Sequence, residues 1–238
     1  MSSRPIRAAL AVALAAAATL PAFAAEPFSR TVFFGDSLTD AGYFRPVVIG
    51  AIGPSGAILG RFTTNPGLTW AEHVADRYGT RADANGNGQV GDNYAAGGAR
   101  VAAPVVTGLG PAPSLVAQVN TYLTANGGRA DANALYTVWG GANDLFAVAA
   151  NPAQAQQIIG AAVTAQVGIV GALQGAGARY VLVPSIPDIG LTPSSRAGGQ
   201  VGMATGTALA NTYNTALYGG LAGQGLRVIP VEIGRAHV

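Results

Sequence analysis

The alternation of short apolar runs with helical segments most constrains how this chain can fold. The runs at 31–34, 134–139 and 179–183 have the length of buried strands and are rich in aromatic or β-branched residues. A long Ala/Gln/Ile/Val-rich segment with helical character occupies 152–176. Alternating strands and helices form a parallel sheet with right-handed crossovers. We therefore predict a three-layer α/β/α fold with a central, mostly parallel sheet of the flavodoxin-like type.

The first apolar run leads directly into Gly35-Asp36-Ser37-Leu38. A side chain at the end of such a strand lies at the carboxyl edge of the sheet, where open α/β sheets bind ligands. This position suits a nucleophilic serine, although a Gly-Asp-Ser turn with a capping serine has the same composition. The block from Phe34 to Asp40 resembles the first block of the GDSL lipase/esterase family, whose members are also called SGNH hydrolases.

Two later segments resemble the second and third blocks of that family. Asn93 to Arg100 contains Gly97 and Gly98, and a glycine N–H can approach a developing oxyanion closely. Alignment from Asn93 favours Gly98 as the donor and leaves Gly97 open. The third block, Gly-x-Asn-Asp, ends the run at 134–139, and there the resemblance assigns Asn143 as an amide donor. Asp144 is expected to brace the local backbone.

The resemblance covers Phe28 to Val231 and implies an esterase or lipase that needs no cofactor. An acyl group would pass from a carboxylic ester to Ser37 and then to water, with the oxyanion held by Ser37, Gly98 and Asn143. The final family block, Asp-x-x-His, supplies the base and is not found here. His237 has no aspartate three residues before it, and His73 has no acidic partner at catalytic spacing. We therefore expect the chain as printed to hydrolyse little.

Both ends of the chain carry signals of processing. Residues 1–24 have a basic start, an apolar stretch and Ala22-Phe23-Ala24, which together predict a signal peptide and export. We assign 25–231 to the hydrolase domain. The peptide at 232–238 matches the translation of a common sequencing adapter, so we interpret it as a non-native tail and the domain as C-terminally truncated.

Composition excludes several classes of function. Removing Arg4 and Arg7 with the signal peptide leaves eleven arginines against eleven acidic residues, so no basic surface for nucleic acid is expected. The chain has no cysteine and two histidines, which argues against disulfides and against a thiolate or histidine-rich metal site. A polar segment at 83–89 lacks the spacing of a calcium loop and is predicted to be a turn.

The segment from Gly42 to Gly60 is rich in glycine and apolar residues and has no clean periodicity, so it is predicted to be a long loop. Such a loop would either line an acyl pocket or simply pack on the domain. Helices are predicted to begin near Leu68 and after Ser114, with another over 202–221, and a last strand over 226–231.

The resemblance extends to bacterial autotransporter esterases, on the Gly60-Arg61-Phe62-Thr63 segment and the Asn93 block. It implies display at the outer membrane of a Gram-negative bacterium through a C-terminal barrel, or secretion. Two alternatives stay open: a non-catalytic surface-binding or adhesion module, and a secreted carbohydrate acetylesterase on the same fold. The apolar segment from Val47 to Leu59 favours acyl or lipid esters.

Overall fold

The computed structural model describes residues 28–64 and 66–233, and the predicted signal peptide and most of the predicted tail lie outside them. Within the described residues, four parallel strands form the central sheet in the order β1-β4-β5-β6, and β2 and β3 form a separate antiparallel hairpin. The strands are β1 (Thr31–Gly35), β2 (Val105–Thr107), β3 (Gly110–Ala112), β4 (Leu135–Trp139), β5 (Tyr180–Pro184) and β6 (Ile229–Val231). The predicted mostly parallel sheet is confirmed.

Helices flank the sheet on both sides, as the prediction of three layers requires. They are α1 (Arg45–Ile52), α2 (Gly56–Leu59), α3 (Trp70–Arg77), α4 (Leu115–Ala125), α5 (Ala142–Ala150), α6 (Ala155–Gly175), α7 (Pro193–Ala197) and α8 (Gly199–Gly223). Val32 and Phe34 of β1 point into the larger core, which α4, α5, α6 and α8 complete. Phe33 points to the opposite face, where it packs against Ala71 and Ala75 of α3.

Local signals explain where several helices begin. Thr69 accepts a hydrogen bond from the Glu72 N–H, and the Glu72 side chain accepts one from the Thr69 N–H, which is a complete capping box for α3. Ser114 caps α4 by accepting from the Ala117 N–H at 3.2 Å. The segment Pro152–Gly175 consists of one short helical turn followed by α6. By length and composition alone, it is apolar and long enough to cross a membrane. Residues such as Ile169 and Leu173 of this helix are buried in the core, which is the behaviour of a core helix.

The prediction of a loop over 42–60 is wrong, because the segment contains α1 and α2. Pro46 lies at the start of α1, where its missing N–H costs no helical hydrogen bond. Gly53 and Gly60 end the two helices. Neither helix buries an apolar face against the domain. No residue of α1 is buried, and α2 buries Gly56 alone. We call the pair, residues 45–59, the α1–α2 hairpin.

The two edges of the sheet differ. At the β1 edge, residues 92–96 run alongside the strand: the Phe33 N–H donates to Asp92 O at 2.9 Å, and the Tyr94 N–H donates to Phe33 O at 2.8 Å. At the other edge lies β6, with Pro230 at its centre and the Val231 carbonyl accepting from the Ser185 N–H at 2.8 Å. The β6 strand is shorter than the predicted run over 226–231.

Candidate functional site

Ser37 follows β1 after one residue and lies in a tight turn at the carboxyl edge of the sheet. The turn closes because the N–H groups of Thr39 and Asp40 both donate to Asp36 O at 3.0 Å. The Asp36 carboxylate also accepts from the Leu38 N–H at 3.0 Å. Ser37 is half-buried, and its hydroxyl has no hydrogen-bond partner among residues 28–64 and 66–233. The turn therefore presents this hydroxyl without engaging it.

The glycine turn lies beside Ser37 because residues 92–96 follow β1. The Ala96 N–H donates to Gly35 O at 3.2 Å, so the chain reaches Gly97 and Gly98 at the level where β1 ends. Gly98 has a φ of +80°, and a Cβ there would lie 2.8 Å from Thr107 Cγ2. Glycine is therefore required at this position both for its backbone conformation and for space.

The two glycines differ in what their N–H groups do. The Gly97 N–H donates to the buried carboxylate of Asp40 at 2.8 Å. That carboxylate also accepts from the N–H groups of Gly42 and Tyr43, at 2.7 and 2.6 Å. The Gly98 N–H makes no such bond in the described part of the chain. Of the two glycines that the sequence left open, Gly98 is therefore the one whose N–H has no hydrogen-bond partner in the described residues.

Asn143 connects the serine turn to the glycine turn. It is the second residue of α5, which begins after Gly141 in a left-handed conformation (φ +113°) at the end of β4. Its Nδ2 donates to Ala99 O at 2.9 Å and lies 3.4 Å from Asp36 Oδ2. Asp36 precedes Ser37, and Ala99 follows Gly98. The structure therefore brings the three predicted site residues into one cluster.

Asp144, the next residue of α5, holds the far side of the glycine turn. Its carboxylate accepts from the Val101 N–H and from Arg100 Nε, both at 3.0 Å. The residue is buried, and burial raises the pKa of its carboxyl although these bonds oppose the shift. Asp144 therefore braces the backbone, in agreement with the expectation from sequence.

Asp36 is the titratable group nearest in sequence to Ser37. Its side chain is buried, and desolvation raises the pKa of Asp36 to about 7, with smaller contributions from the charges of Asp144 and Asp40. The hydrogen bond from Leu38 opposes the shift. Burial thus favours the neutral form of the Asp36 carboxyl, and Asp36 is a site residue to which the sequence analysis assigned no role.

No base faces Ser37 in the described part of the chain. His73 is exposed on α3, whose buried residues pack on Phe33. His237 lies outside the described residues. A cavity of about 420 Å³ opens at the ends of β5 and β6, lined by Ser185, Asp188, Thr207 and Asn214 among others. None of Ser37, Gly98 and Asn143 lines this cavity.

Gln118 of α4 fixes the last residue of β1, and it is a second group that sequence reasoning missed. Its Oε1 accepts from the Gly35 N–H, and its Nε2 donates to Gly35 O, both at 2.9 Å. A lone glutamine in a helix carries no sequence signal for such a contact. The contact joins residues that are 83 positions apart.

Replacing Gln118 by leucine is expected to lower the free energy of unfolding by about 1 to 3 kcal/mol, because a buried backbone group loses its partner at similar side-chain volume. Urea denaturation measures this loss. Gln157→Leu, on the exposed face of α6, is the matched control and is expected to change stability by less than about 0.5 kcal/mol. Equal effects of the two substitutions would contradict the assignment.

Comparisons with known proteins agree with this geometry. Residues 31–222 match the family described as GDSL-like Lipase/Acylhydrolase. The chain is 35% identical over 169 residues to "Lipase 1" of Photorhabdus luminescens, which covers 71% of this chain and 24% of that protein. It is 34% identical over 266 aligned residues to "Esterase EstA" of Pseudomonas aeruginosa and of Pseudomonas putida, which covers 98% of this chain and 39% of each.

The chain thus spans between a quarter and two fifths of the length of these relatives. The matched region contains β1, β4 and β5, together with the Ser37 turn, the glycine turn and Asn143. Fold, site and similarity lead to one assignment, and the chain belongs to the GDSL-like lipase/acylhydrolase family.

Proposed function

We propose that this chain is the hydrolase domain of a serine esterase that forms an acyl-enzyme on Ser37. The family and the relatives named lipase and esterase support ester hydrolysis in general. The observation that carries the finer proposal is the position of Asn143, whose amide contacts the neighbours of both Ser37 and Gly98. A nucleophile and two hydrogen-bond donors around one point are what acyl transfer requires.

In the proposed reaction, Ser37 Oγ attacks the carbonyl carbon of the ester and loses its proton to a base. The carbonyl oxygen becomes an oxyanion, which accepts hydrogen bonds from the N–H groups of Ser37 and Gly98 and from Asn143 Nδ2. The alcohol leaves with a proton returned by the base, and water then hydrolyses the acyl-serine. One N–H of Asn143 holds Ala99 O, and the other makes only the long 3.4 Å contact to Asp36, so it is available to the oxyanion.

The base and its orienting carboxylate come from outside residues 28–64 and 66–233 in this proposal. The described residues include His73 alone among histidines, and it is exposed on α3. A serine hydroxyl keeps its proton at neutral pH and is a weak nucleophile without a base. The chain as printed is therefore expected to turn over esters slowly.

Acyl or lipid esters are the proposed substrate class. Leu38, next to the nucleophile, and Phe62, whose ring lies against Gly97, are both exposed large apolar side chains. Such surfaces suit a hydrocarbon chain better than a sugar. We further propose export through the predicted signal peptide and display at the outer membrane, on the resemblance to autotransporter esterases.

Rescue by imidazole tests the mechanism. Hydrolysis of p-nitrophenyl butyrate by the chain as printed is expected to be slow and to rise with imidazole, which stands in for the base. Ser37→Ala should abolish the protein-dependent part of this rise, and mass spectrometry should find an added fluorophosphonate on Ser37 alone. An equal imidazole response in Ser37→Ala would refute Ser37 as the nucleophile. Fast turnover without imidazole would refute the expected lack of a base.

A further inference from the structure

The α1–α2 hairpin exposes an unusual number of large apolar side chains. Its side chains of this kind are between 36% and 55% exposed: Val47, Ile49, Ile52, Ile58 and Leu59. They belong to two helices that bury almost nothing, so they do not contribute to the core. Exposed apolar patches on soluble domains mark surfaces of interaction.

The hairpin is a well-packed unit, so its outward side chains are not the result of a loose loop. A Cβ on Gly56 would lie 2.7 Å from the backbone of Val48 and Ile49, which shows how closely α2 approaches α1. A Cβ on Gly60 would lie 2.7 Å from Arg45 Cβ. The residue that ends α2 is therefore close to the residue that begins α1. The exposed apolar side chains are therefore carried by two helices that approach each other closely.

The absence of charge on the α1–α2 hairpin indicates what kind of surface it contacts. No residue from Pro46 to Gly60 is charged. The arginines at the two ends are already engaged: Arg45 Nη2 donates to Ala41 O at 2.5 Å, and Arg61 pairs with Glu72 at 3.0 Å. A surface without charge, formed by aliphatic side chains, complements hydrocarbon and offers nothing to a charged or strongly polar partner.

The hairpin is joined along the chain to residues of the site. Leu38, 42% exposed, follows Ser37 directly, and the hairpin begins seven residues after it. At the other end Phe62 is 43% exposed, and a Cβ on Gly97 would lie 2.2 Å from its ring. The hairpin is thus connected at both ends to the two turns that form the candidate site.

We propose that the α1–α2 hairpin is a docking site for a neutral lipid surface, which it contacts through its exposed aliphatic side chains. Docking there places the Ser37 turn and the glycine turn close to the lipid–water boundary, where the ester bonds of lipids lie. The contact is a binding property of the hairpin and goes beyond hydrolysis at Ser37.

Single-cysteine labelling tests the proposal, because the natural chain contains no cysteine. Cysteines at Ile52 or Leu59 carry an environment-sensitive nitrobenzoxadiazole label, and phosphatidylcholine vesicles are added to the full chain. Emission at both positions is expected to shift to the blue and to increase several-fold. Matched labels at Leu191 and Val201, which are 58% and 78% exposed on other parts of the surface, are expected not to respond.

A charge variant provides the second test. With the label at Leu59, the double substitution Ile49→Asp and Ile58→Asp is expected to abolish the response, whereas Val90→Asp with Val201→Asp leaves it unchanged. Circular dichroism confirms that each variant is folded.

A hairpin label whose emission does not change when vesicles are added overturns the proposal and favours a protein partner or a second copy. An equal response at Leu191 and Val201 overturns it as general adsorption. The readout does not depend on turnover, so failure of the esterase proposal would leave the label response unchanged, and failure of docking would leave ester hydrolysis at Ser37 to be judged by the imidazole experiment.

Discussion

Replacing Asn143 by alanine is expected to lower kcat for imidazole-supported ester hydrolysis by about two to three orders of magnitude. The reason is that in the proposed mechanism Asn143 supplies a preorganised donor for the oxyanion, whose charge develops only in the transition state. Its Nδ2 lies between Ala99 O and Asp36 Oδ2, so the loss also removes one hydrogen bond of 2.9 Å to the glycine turn. Initial rates over a range of p-nitrophenyl butyrate concentrations separate kcat from KM.

A structural role for Asn143 would produce a different pattern. Loss of the Ala99 contact alone would lower the unfolding temperature and raise KM, with a small change in kcat. Asn151→Ala, in which the exposed amide after α5 is removed, is the matched control and is expected to leave both kinetic constants unchanged. A fall in kcat of less than about tenfold would contradict the oxyanion assignment.

Replacing Asp36 by asparagine is expected to change how stability depends on pH. Burial of the carboxyl raises the folded-state pKa of Asp36 to about 7, against 3.8 for an unperturbed aspartate. Well below pH 4 the carboxyl is protonated in both states and costs nothing. Between about pH 4 and pH 7 the unfolded state has released the proton while the folded state still holds it, so the wild-type protein loses stability as the pH rises through this interval and no further above it.

The expected size follows from the two pKa values. One pKa unit corresponds to about 1.36 kcal/mol, so the unfolding free energy of Asp36→Asn relative to wild type should increase by up to about 4 kcal/mol from pH 3.5 to pH 8. Urea denaturation across this range measures the difference. The lost contact to Asn143 adds a cost that does not vary with pH and therefore does not affect the slope.

Asp131→Asn is the control of opposite sign. Hydrogen bonds from Ser29 and from the Asn133 N–H lower the pKa of Asp131, and this carboxyl lies at the surface. Its ionised form is favoured in the folded state, so its replacement removes a small stabilisation that is present above pH 4. Parallel curves for wild type and Asp36→Asn would show that burial does not raise the pKa of Asp36.

The elements that could be predicted from the sequence are those with local signals. Strand β4 is a continuous apolar run, and α4 begins at a serine followed by apolar residues at helical spacing. The α1–α2 hairpin could not be found in this way. Pattern methods detect a helix by the side that it buries, and this hairpin buries almost none of its side chains.

For the site, the sequence indicated candidate residues but not the contacts that hold them in place. Ser37, the glycine turn and Asn143 follow strand ends, and the structure brings them together. The choice between Gly97 and Gly98 depends on Asp40, which lies 57 positions from Gly97 and meets it only in the folded chain. The raised pKa of Asp36 likewise depends on burial by distant residues, so no local pattern could have indicated either feature.

Pro230 at the centre of β6 affects how the molecule behaves in concentrated solution. The Val231 carbonyl points toward β5, where it accepts a hydrogen bond from the Ser185 N–H. Because the backbone groups of successive residues in a strand point to opposite sides, those of Pro230 point away from β5. At that outward position proline offers no N–H to an approaching strand. An exposed strand edge is a template for aggregation, and proline is a residue that natural proteins use to blunt it. At this edge of the sheet, Pro230 therefore acts against strand pairing between molecules.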